Sequence, residues 1–441
     1  MANVLLIGNG AREHAMAEAI VRSAKSPRLY SYMKANNPGI AALSGKVLLG
    51  GYADTDTIVR FARECGIDFA VIGPEDPLNN GVVDALAKAG VPSFGPTRNL
   101  ARLETSKTFT RDLVKKYNIP GNPEYRIFTS MDGVEEFLKG LGESVIKPDG
   151  LTGGKGVRVQ GDHYQSREEA LEYCREVLAE HSRVIVEEKL DGEEFSLQCI
   201  TDGRTVIATP PVQDHKRRFV DDKGPNTGGM GSYSCADHSL PFLKASDIEA
   251  GLEITGKVAD AIYKETGEYY RGVMYGGFIV TSKGVRLLEY NARFGDPEAM
   301  NIFPILETDF AAICEAVVSG TLDRVNAVFA KKATVCKYIV PKGYGLPADH
   351  PDAASTSARI DIGDVGGARL YYASVDQRPD GLYMSTSRAI GVVGIADTIE
   401  EAERMAENAI GAVKGPVAHR PDIGTKPLLE KRVEHMKKIR K

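Results

Sequence analysis

The six cysteines, at 65, 174, 199, 235, 314 and 336, include no Cys-x-x-Cys pair and no histidine spacing of a zinc site. That argues against a zinc module or a disulfide framework and reads as free, mostly buried thiols in a reducing compartment. No stretch approaches the roughly 18 uninterrupted apolar residues of a membrane span, and the N-terminus runs directly into a strand instead of a basic and then apolar leader. A soluble, cytoplasmic protein is therefore expected, with no membrane partner. Basic excess is lacking too. The formal net charge is −5, whereas nucleic-acid binding usually needs a clustered basic surface, so no nucleic-acid partner is expected. The short basic tail from Lys431 to Lys441 reads as a solvated helix end. The Walker pattern G-x-x-x-x-G-K-[ST] is also absent. A dinucleotide fingerprint fails because Glu13 stands at the third glycine position and the strand near Arg28 to Lys34 ends without an acid.

What remains is ordinary globular composition, 42% hydrophobic and 26% charged, over 441 residues. That length is too great for one core and suggests about three domains. Asn3 to Ile7 is a short apolar run ending in Gly8-Asn9-Gly10, followed by a helical segment from Arg12 to Ser23. Strand, glycine turn and helix aim backbone N–H groups at a phosphate; Arg12 and His14 stand beside that turn, with a structural role as the alternative for His14. A second α/β unit, with a helix over 55–64 and a strand over 69–72, delivers Glu75 to the carboxyl end of a parallel sheet, where open α/β folds bind ligands. A helix over 81–88 and a strand over 92–94 complete a small doubly wound domain.

Next comes a helix from Leu103 to Tyr117 with Ser106-Lys107 near its start, then a strand ending at Lys147 and the loop P-D-G-L-T-G-G-K-G-V. Glycines 150, 153, 154 and 156, flanked by Lys147 and Lys155, suit close approach to a polyanion better than a plain hairpin. Glu187 and Glu194 bracket a linker and present carboxylates to an amino group or to ribose hydroxyls, unless they are merely solvated acids. Asp214-His215-Lys216 and Gly224 to Gly231 make a polar loop suited to covering a ligand.

The organising stretch is Arg286 to Glu298. Glu289, Asn291 and Arg293 alternate along one strand end and share a face. A carboxylate and an amide oxygen suit Mg²⁺, which takes one or two carboxylates and fills its shell with phosphate and water, leaving Arg293 for an anionic substrate group. An edge strand with a wetted polar face is the bland alternative. Beyond residue 325, strands at 333–340, 368–375 and 388–395 precede a helix over 398–413, whose Ile399, Ala402, Ala406, Ala409, Ile410 and Val413 form one stripe and whose start resembles a capping box of Asp397 with Glu400.

Taken together, G-N-G-A-R-E-H-A from Gly8, G-P-E-D-P-L from Gly73, K-P-D-G-L-T-G-G-K-G-V from Lys147, E-E-K-L-D-G-E-E from Glu187, Q-D-H-K-R from Gln213, G-P-N-T-G-G-M-G from Gly224 and N-A-R-F-G-D-P-E from Asn291 resemble the phosphoribosylamine glycine ligases, also called glycinamide ribonucleotide synthetases, of the ATP-grasp superfamily. These motifs cover about the first 300 residues in the family's order; the resemblance is weaker beyond them. It implies an α/β and α+β multidomain chain: an N-terminal doubly wound parallel-sheet (pre-ATP-grasp) domain over 1–102, a central ATP-grasp fold over 103–325 with a mobile glycine-loop subdomain at about 122–192, and a small C-terminal α+β domain over 326–441. It also implies ATP as co-substrate, Mg²⁺ or Mn²⁺ as metal, glycine and 5-phosphoribosylamine as the other substrates, a glycyl phosphate intermediate, and a monomer or weak dimer.

Carried over by position, the resemblance assigns the metal to Glu289 and Asn291, and ATP to Lys107, Lys147, Lys155, Glu187, Leu190 and Glu194. Catalysis falls to Arg293, Lys155, Asp214 and Lys216, and substrate binding to Gly10, Arg12, Glu13, Glu75, His215, Asn226, Thr227, Gly228 and Asp296. Ala11, Pro148 and Thr152-Gly153 depart from common family residues without removing a charge. Met274-Tyr275-Gly276-Gly277 stands where many ATP-grasp enzymes carry an earlier acidic metal ligand. Tyr371, Tyr372 and Arg388 read as core or surface residues, with a functional role as the alternative. Two other function classes are weighed: a different ATP-grasp carboxylate–amine ligase or carboxylase of purine metabolism, which would be expected to lack the motifs at Gly224 and Arg293, and a nucleotide sensor without catalysis, which would be expected to have lost Glu289, Arg293 or Lys155.

Overall fold

The computed structural model describes residues 1–441 apart from 152–155, 348 and 355–356. Its first unit is a parallel five-stranded sheet in the order Lys46–Leu49, Arg28–Met33, Asn3–Ile7, Phe69–Ile72, Ser93–Phe94. The central strands are apolar runs buried on both faces, as helices on either side require. Chain order reverses between Asn3–Ile7 and Phe69–Ile72, so the turns after these two strands, at Gly8 to Gly10 and Gly73 to Glu75, meet at the crevice of the sheet.

The helix expected over 103–117 is in fact two. Arg102–Thr105 ends at Ser106, whose extended backbone starts Lys107–Lys116 and whose hydroxyl accepts from Phe109 N. A serine hydroxyl that satisfies an orphan amide makes a favoured helix start. Two antiparallel four-stranded sheets follow. One, in the order Tyr125–Phe128, Val184–Glu188, Ser144–Pro148, Arg158–Val159, carries the glycine loop and has its own apolar cluster including Ile146, Cys174 and Val184. The other runs Val206–Ala208, Glu193–Thr201, Gly272–Thr281, Gly284–Asn291, backed by the helix Ala245–Thr266, which ends at the left-handed Gly267.

The C-terminal part does not merely pack on the rest. Its strand Ala333–Pro341 pairs with Gly231–Ser234 on one edge and Ile390–Ala396 on the other, in a sheet that also holds Gln213–Asp214, Arg369–Tyr372 and Val417–Ala418. The strand expected over 368–375 is shorter, and the turn after it leads to Val375–Arg378 in a separate sheet with Gly381–Met384, Ala358–Ile362 and Val413–Lys414. The helix Ile399–Ile410 is capped by Thr398, which accepts from Glu401 N, one residue beyond the expected Asp397 box. Among the described residues no helix is long and apolar enough to cross a membrane.

Candidate active site

The strand Gly284–Asn291 delivers Glu289 and Asn291, and its neighbour Gly272–Thr281 sets Gly277 opposite Glu289 and Tyr275 opposite Asn291. A Cβ on Gly277 would lie in ordinary van der Waals contact with Glu289 Cγ, at 3.4 Å, so the two residues are close neighbours across the pair. Burial raises the affinity of Glu289 for a proton, but Lys216, Lys147 and Lys107 outweigh it and hold the carboxyl below its ordinary range. An ionised carboxylate and an amide two residues apart fit a hard divalent cation. Among the described residues no group of three or more His, Cys, Asp or Glu could hold a metal by itself, so an ion here would need phosphate oxygens or water to complete its shell.

Arg293 reaches out of the same strand end to the first domain. Its Nε lies 3.2 Å from Glu75 Oε2, and another guanidinium nitrogen lies 3.3 Å from Glu104 Oε1. Glu104 in turn accepts from Ala292 N at 2.8 Å, which fixes the backbone just before Arg293. Glu75 is held at about 2: burial raises it, and Arg293 and Arg12 more than reverse that. Arg12 donates to Phe294 O and to Glu13. Glu13 is only 2% exposed; its second oxygen accepts from Gly10 N at 2.6 Å, and a Cβ on Gly8 or Gly73 would strike it. The structure thus uses Glu13 to close the two turns onto each other, with Gly10, Arg12 and Glu75 lining the crevice around it. His14 stacks on Tyr372 and accepts from its backbone N–H, and burial lowers its pKa to about 4.

On the other wall, Lys107 Nζ donates to Gly150 O at 2.7 Å. Asp149 accepts from Thr108 and Ser106 at the start of the helix Lys107–Lys116, which tethers the base of the glycine loop. Lys147 Nζ lies 2.7 Å from Glu187 Oε2, and Arg111 engages Glu187 with two nitrogens at 2.7 and 3.0 Å. Burial pushes Glu187 up, but Arg111 and Lys147 bring it down to about 2. Its carboxylate is therefore occupied by protein cations, which leaves the backbone of the linker toward Leu190 to face a ligand. Lys155 lies outside the described residues.

Asp214 ends the strand Gln213–Asp214, and His215 follows it outside the strand, with its side chain in different surroundings. Asp214 faces the cleft, where burial and Glu298 raise its carboxyl well above the ordinary range against Lys216 and Arg388. His215 turns to the charges of the C-terminal part; burial lowers its pKa to about 3, and among the described residues neither ring nitrogen has a hydrogen-bond partner. The structure does not bring His215 together with Asp214 and Lys216. Lys216 Nζ is 3.4 Å from Glu194 Oε2 in the open cleft. Thr227 is bound to Lys216 through both its N–H and its hydroxyl, and Asn226 pairs with Arg217. Gly228 leads from there to Gly229, where a Cβ would meet Asp214 Oδ1 at 2.7 Å.

Arg388, for which a functional role is the alternative to a core or surface one in the sequence, lies against the glycine-rich loop. It donates to Gly228 O, Gly229 O and Asp296 O, and sits 3.3 Å from Asp296 Oδ2 and 4.5 Å from the centre of the Tyr338 ring. Glu104, Arg111, Asp149 and Glu298 were missed in the sequence. A buried charge interrupting an apolar helix face, as at Glu104 and Arg111, is the one signal that could have found two of them.

Two antiparallel sheets closing on a lysine-lined cleft, with a carboxylate and an amide at one strand end, define an ATP-grasp enzyme. At the level of fold alone, the biotin carboxylase domain of Hydrogenobacter thermophilus 2-oxoglutarate carboxylase, described in complex with MgADP, is alike, with a TM-score of 0.71 at 17% identity over 99% of this chain and 94% of that one. The chain belongs to the phosphoribosylglycinamide synthetase family: profiles of its N domain match residues 2–104, of its ATP-grasp (A) domain 105–299, and of its C domain 334–426. It is 47% identical to the phosphoribosylamine–glycine ligase of Methanosarcina acetivorans over 99% of this chain and 98% of that protein. It is also 47% identical to that of Methanothermobacter thermautotrophicus, over 99% of each. The crystal structure of the Thermotoga maritima phosphoribosylamine–glycine ligase superposes with a TM-score of 0.80 at 27% identity, covering 96% of this chain and all of that one.

Proposed function

We propose that this cleft joins glycine to 5-phosphoribosylamine with ATP, giving glycinamide ribonucleotide, ADP and phosphate, a step of purine synthesis. The observation that carries the reading is the convergence of Glu289, Asn291, three lysines and Arg293 at one strand end, in a chain matched by all three family profiles. A carboxylate is a poor electrophile, so one glycine oxygen first attacks the γ-phosphorus of ATP. ADP departs, and glycyl phosphate forms. The amine of phosphoribosylamine then attacks the acyl carbon, the C–O bond to phosphate breaks, and the amine loses a proton. Phosphoryl transfer of this kind depends mainly on positioning and charge neutralisation.

Lys107 and Lys147 supply positive charge beside the phosphates, and Arg293 holds the acyl oxygens. A divalent ion, Mg²⁺ or Mn²⁺, held by Glu289 and Asn291 would neutralise the phosphate oxygens. Asp214, made more basic by burial and Glu298, is suited to take the proton that the attacking amine loses. Its Oδ1 accepts from His215 N at 2.7 Å, which leaves Oδ2 for the proton. Gly10, Arg12 and Glu75 hold the phosphoribosyl part at the crevice of the first domain.

The test is ADP release with each substrate omitted in turn, with the product followed by mass. ADP appearing only when ATP, glycine and freshly generated phosphoribosylamine are all present supports the reading. Equal release without glycine, or with bicarbonate in its place, overturns the choice of acid.

A further inference from the structure

The last helix, Lys426–Ile439, lies outside the catalytic domain, yet it ends in a charge cluster that grips two segments of the cleft. Glu193 opens the strand Glu193–Thr201 and is 5% exposed. His435 Nδ1 lies 2.7 Å from Glu193 Oε1, and His435 Nε2 lies 3.3 Å from Asp191 Oδ1. Arg432 Nε stands 3.4 Å from Glu193 Oε2, a charge contact without hydrogen-bond alignment, while its terminal nitrogen is bonded to Asp222. Asp222 is also held by the fully buried Arg420 at 3.0 Å. It follows the strand Arg217–Phe219 and precedes Lys223–Asn226, the hairpin that leads into Thr227, Gly228 and Gly229.

Side chains of adjacent strand residues face opposite ways. Glu193 points to the last helix; Glu194, next in the chain, points into the cleft toward Lys216. The linker turn has a second anchor at Gly192, where a Cβ would fall 2.0 Å from Val280 O, so only glycine allows the turn to sit down on the neighbouring strand. With Gly192 fixed by backbone contact and Glu193 fixed by Arg432 and His435, the turn from Leu190 to Glu194 has little freedom to rotate. We propose that Arg432 and His435 are positioning residues for the nucleotide, acting through Glu193 on the linker, and that Arg432 couples this linker to the glycine-rich loop through Asp222. The proposal rests on the reading of the linker as the nucleotide's seat.

The experiment compares Arg432→Met, Arg432→Lys, His435→Gln and Glu193→Gln with Arg440→Gln, which removes a different ion pair, that with Asp247, at the residue capping the same helix. Thermal unfolding, calorimetric ADP binding, and KM for ATP and for glycine are measured on each full chain. The expected result is a rise in KM for ATP and in Kd for ADP of about tenfold for Arg432→Met and Glu193→Gln. Arg432→Lys should recover most of the loss, and the Arg432→Met/Glu193→Gln double variant should lose no more than either alone. Arg440→Gln should lower Tm with KM for ATP within about twofold. Unchanged nucleotide binding in Arg432→Met, His435→Gln and Glu193→Gln, whatever happens to Tm, overturns the proposal. Failure of the unmutated chain to bind ADP would instead sink the underlying reading of the linker. If Arg432→Met does not fold, His435→Gln and Glu193→Gln decide the matter alone.

Discussion

Arg293 Nε stands 3.2 Å from Glu75 Oε2 across 218 residues of chain, joining the strand end of the catalytic domain to the sheet crevice of the first. With Glu104 on its other side, this guanidinium is oriented by two carboxylates, which pre-organises it for the acyl oxygens of the proposed reaction. Arg293→Ala should lower kcat by about a hundredfold or more while KM for ATP moves within about threefold. A steady-state comparison decides it: a large rise in KM for ATP with kcat preserved would put Arg293 on the nucleotide.

Glu289→Gln removes the charge and keeps the shape. Lys216, Lys147 and Lys107 then face one another with less compensation, but the strand pairing is untouched. Ligation should fall by about a thousandfold, with far-UV circular dichroism unchanged. Near-normal turnover would remove Glu289 from the metal assignment.

The Arg111–Glu187–Lys147 group gives a signed pH dependence. Glu187 titrates at about 2 in the folded chain against an ordinary 4.5, so its contribution is fully present above about pH 4.5 and is lost as pH falls toward 2. The size is on the order of 3 kcal/mol. Glu187→Gln should flatten this acid limb of a urea-unfolding series; it should also destabilise the chain at neutral pH, because two cations lose their partner. An unchanged limb would mean that other carboxylates carry it.

Gly229 has a φ of +107 and no space for a side chain against Asp214 and Pro297. Gly229→Ala should therefore displace Asp214 and lower kcat/KM for glycine by about a hundredfold, since misplacement by about an ångström costs that much. Parallel assays with glycine and ATP varied separately would show whether the loss sits on the glycine side.

Burial pushes the thiols of Cys174, Cys199 and Cys235 up to about 12, and raises those of Cys314 and Cys336 as well. Only thiolates react readily. The native chain at pH 8 should give at most about one fast thiol in a chromogenic disulfide titration, that of half-buried Cys65, and six after unfolding.

The sequence was most legible where one segment carries its own chemistry. Glycine turns after apolar strands located the first sheet's crevice, and alternation along 284–291 put Glu289 and Asn291 on one face. Where meaning depended on distant partners, it was lost. Nothing in the neighbourhood of Arg388 announces that it bonds to Gly228, Gly229 and Asp296. His215 sits in a basic, polar loop that reads as ligand-facing, yet its ring is buried beside Arg432, Arg420, Asp222 and Asp422. Ser106 breaks a helix that periodicity alone would continue, because its hydroxyl satisfies Phe109 N. That Glu13 also binds its own turn together, through Gly10 N and Arg12, is likewise not announced by the sequence.

The strand Gly231–Ser234 has Ala333–Pro341 as its partner on one edge. Cutting the chain anywhere between them would leave the catalytic fragment with a bare row of amides and carbonyls beside its glycine-rich loop, the kind of edge that recruits foreign strands. The C-terminal quarter is thus a building requirement of the cleft, and any exchange of modules between relatives has to carry both halves of that sheet together.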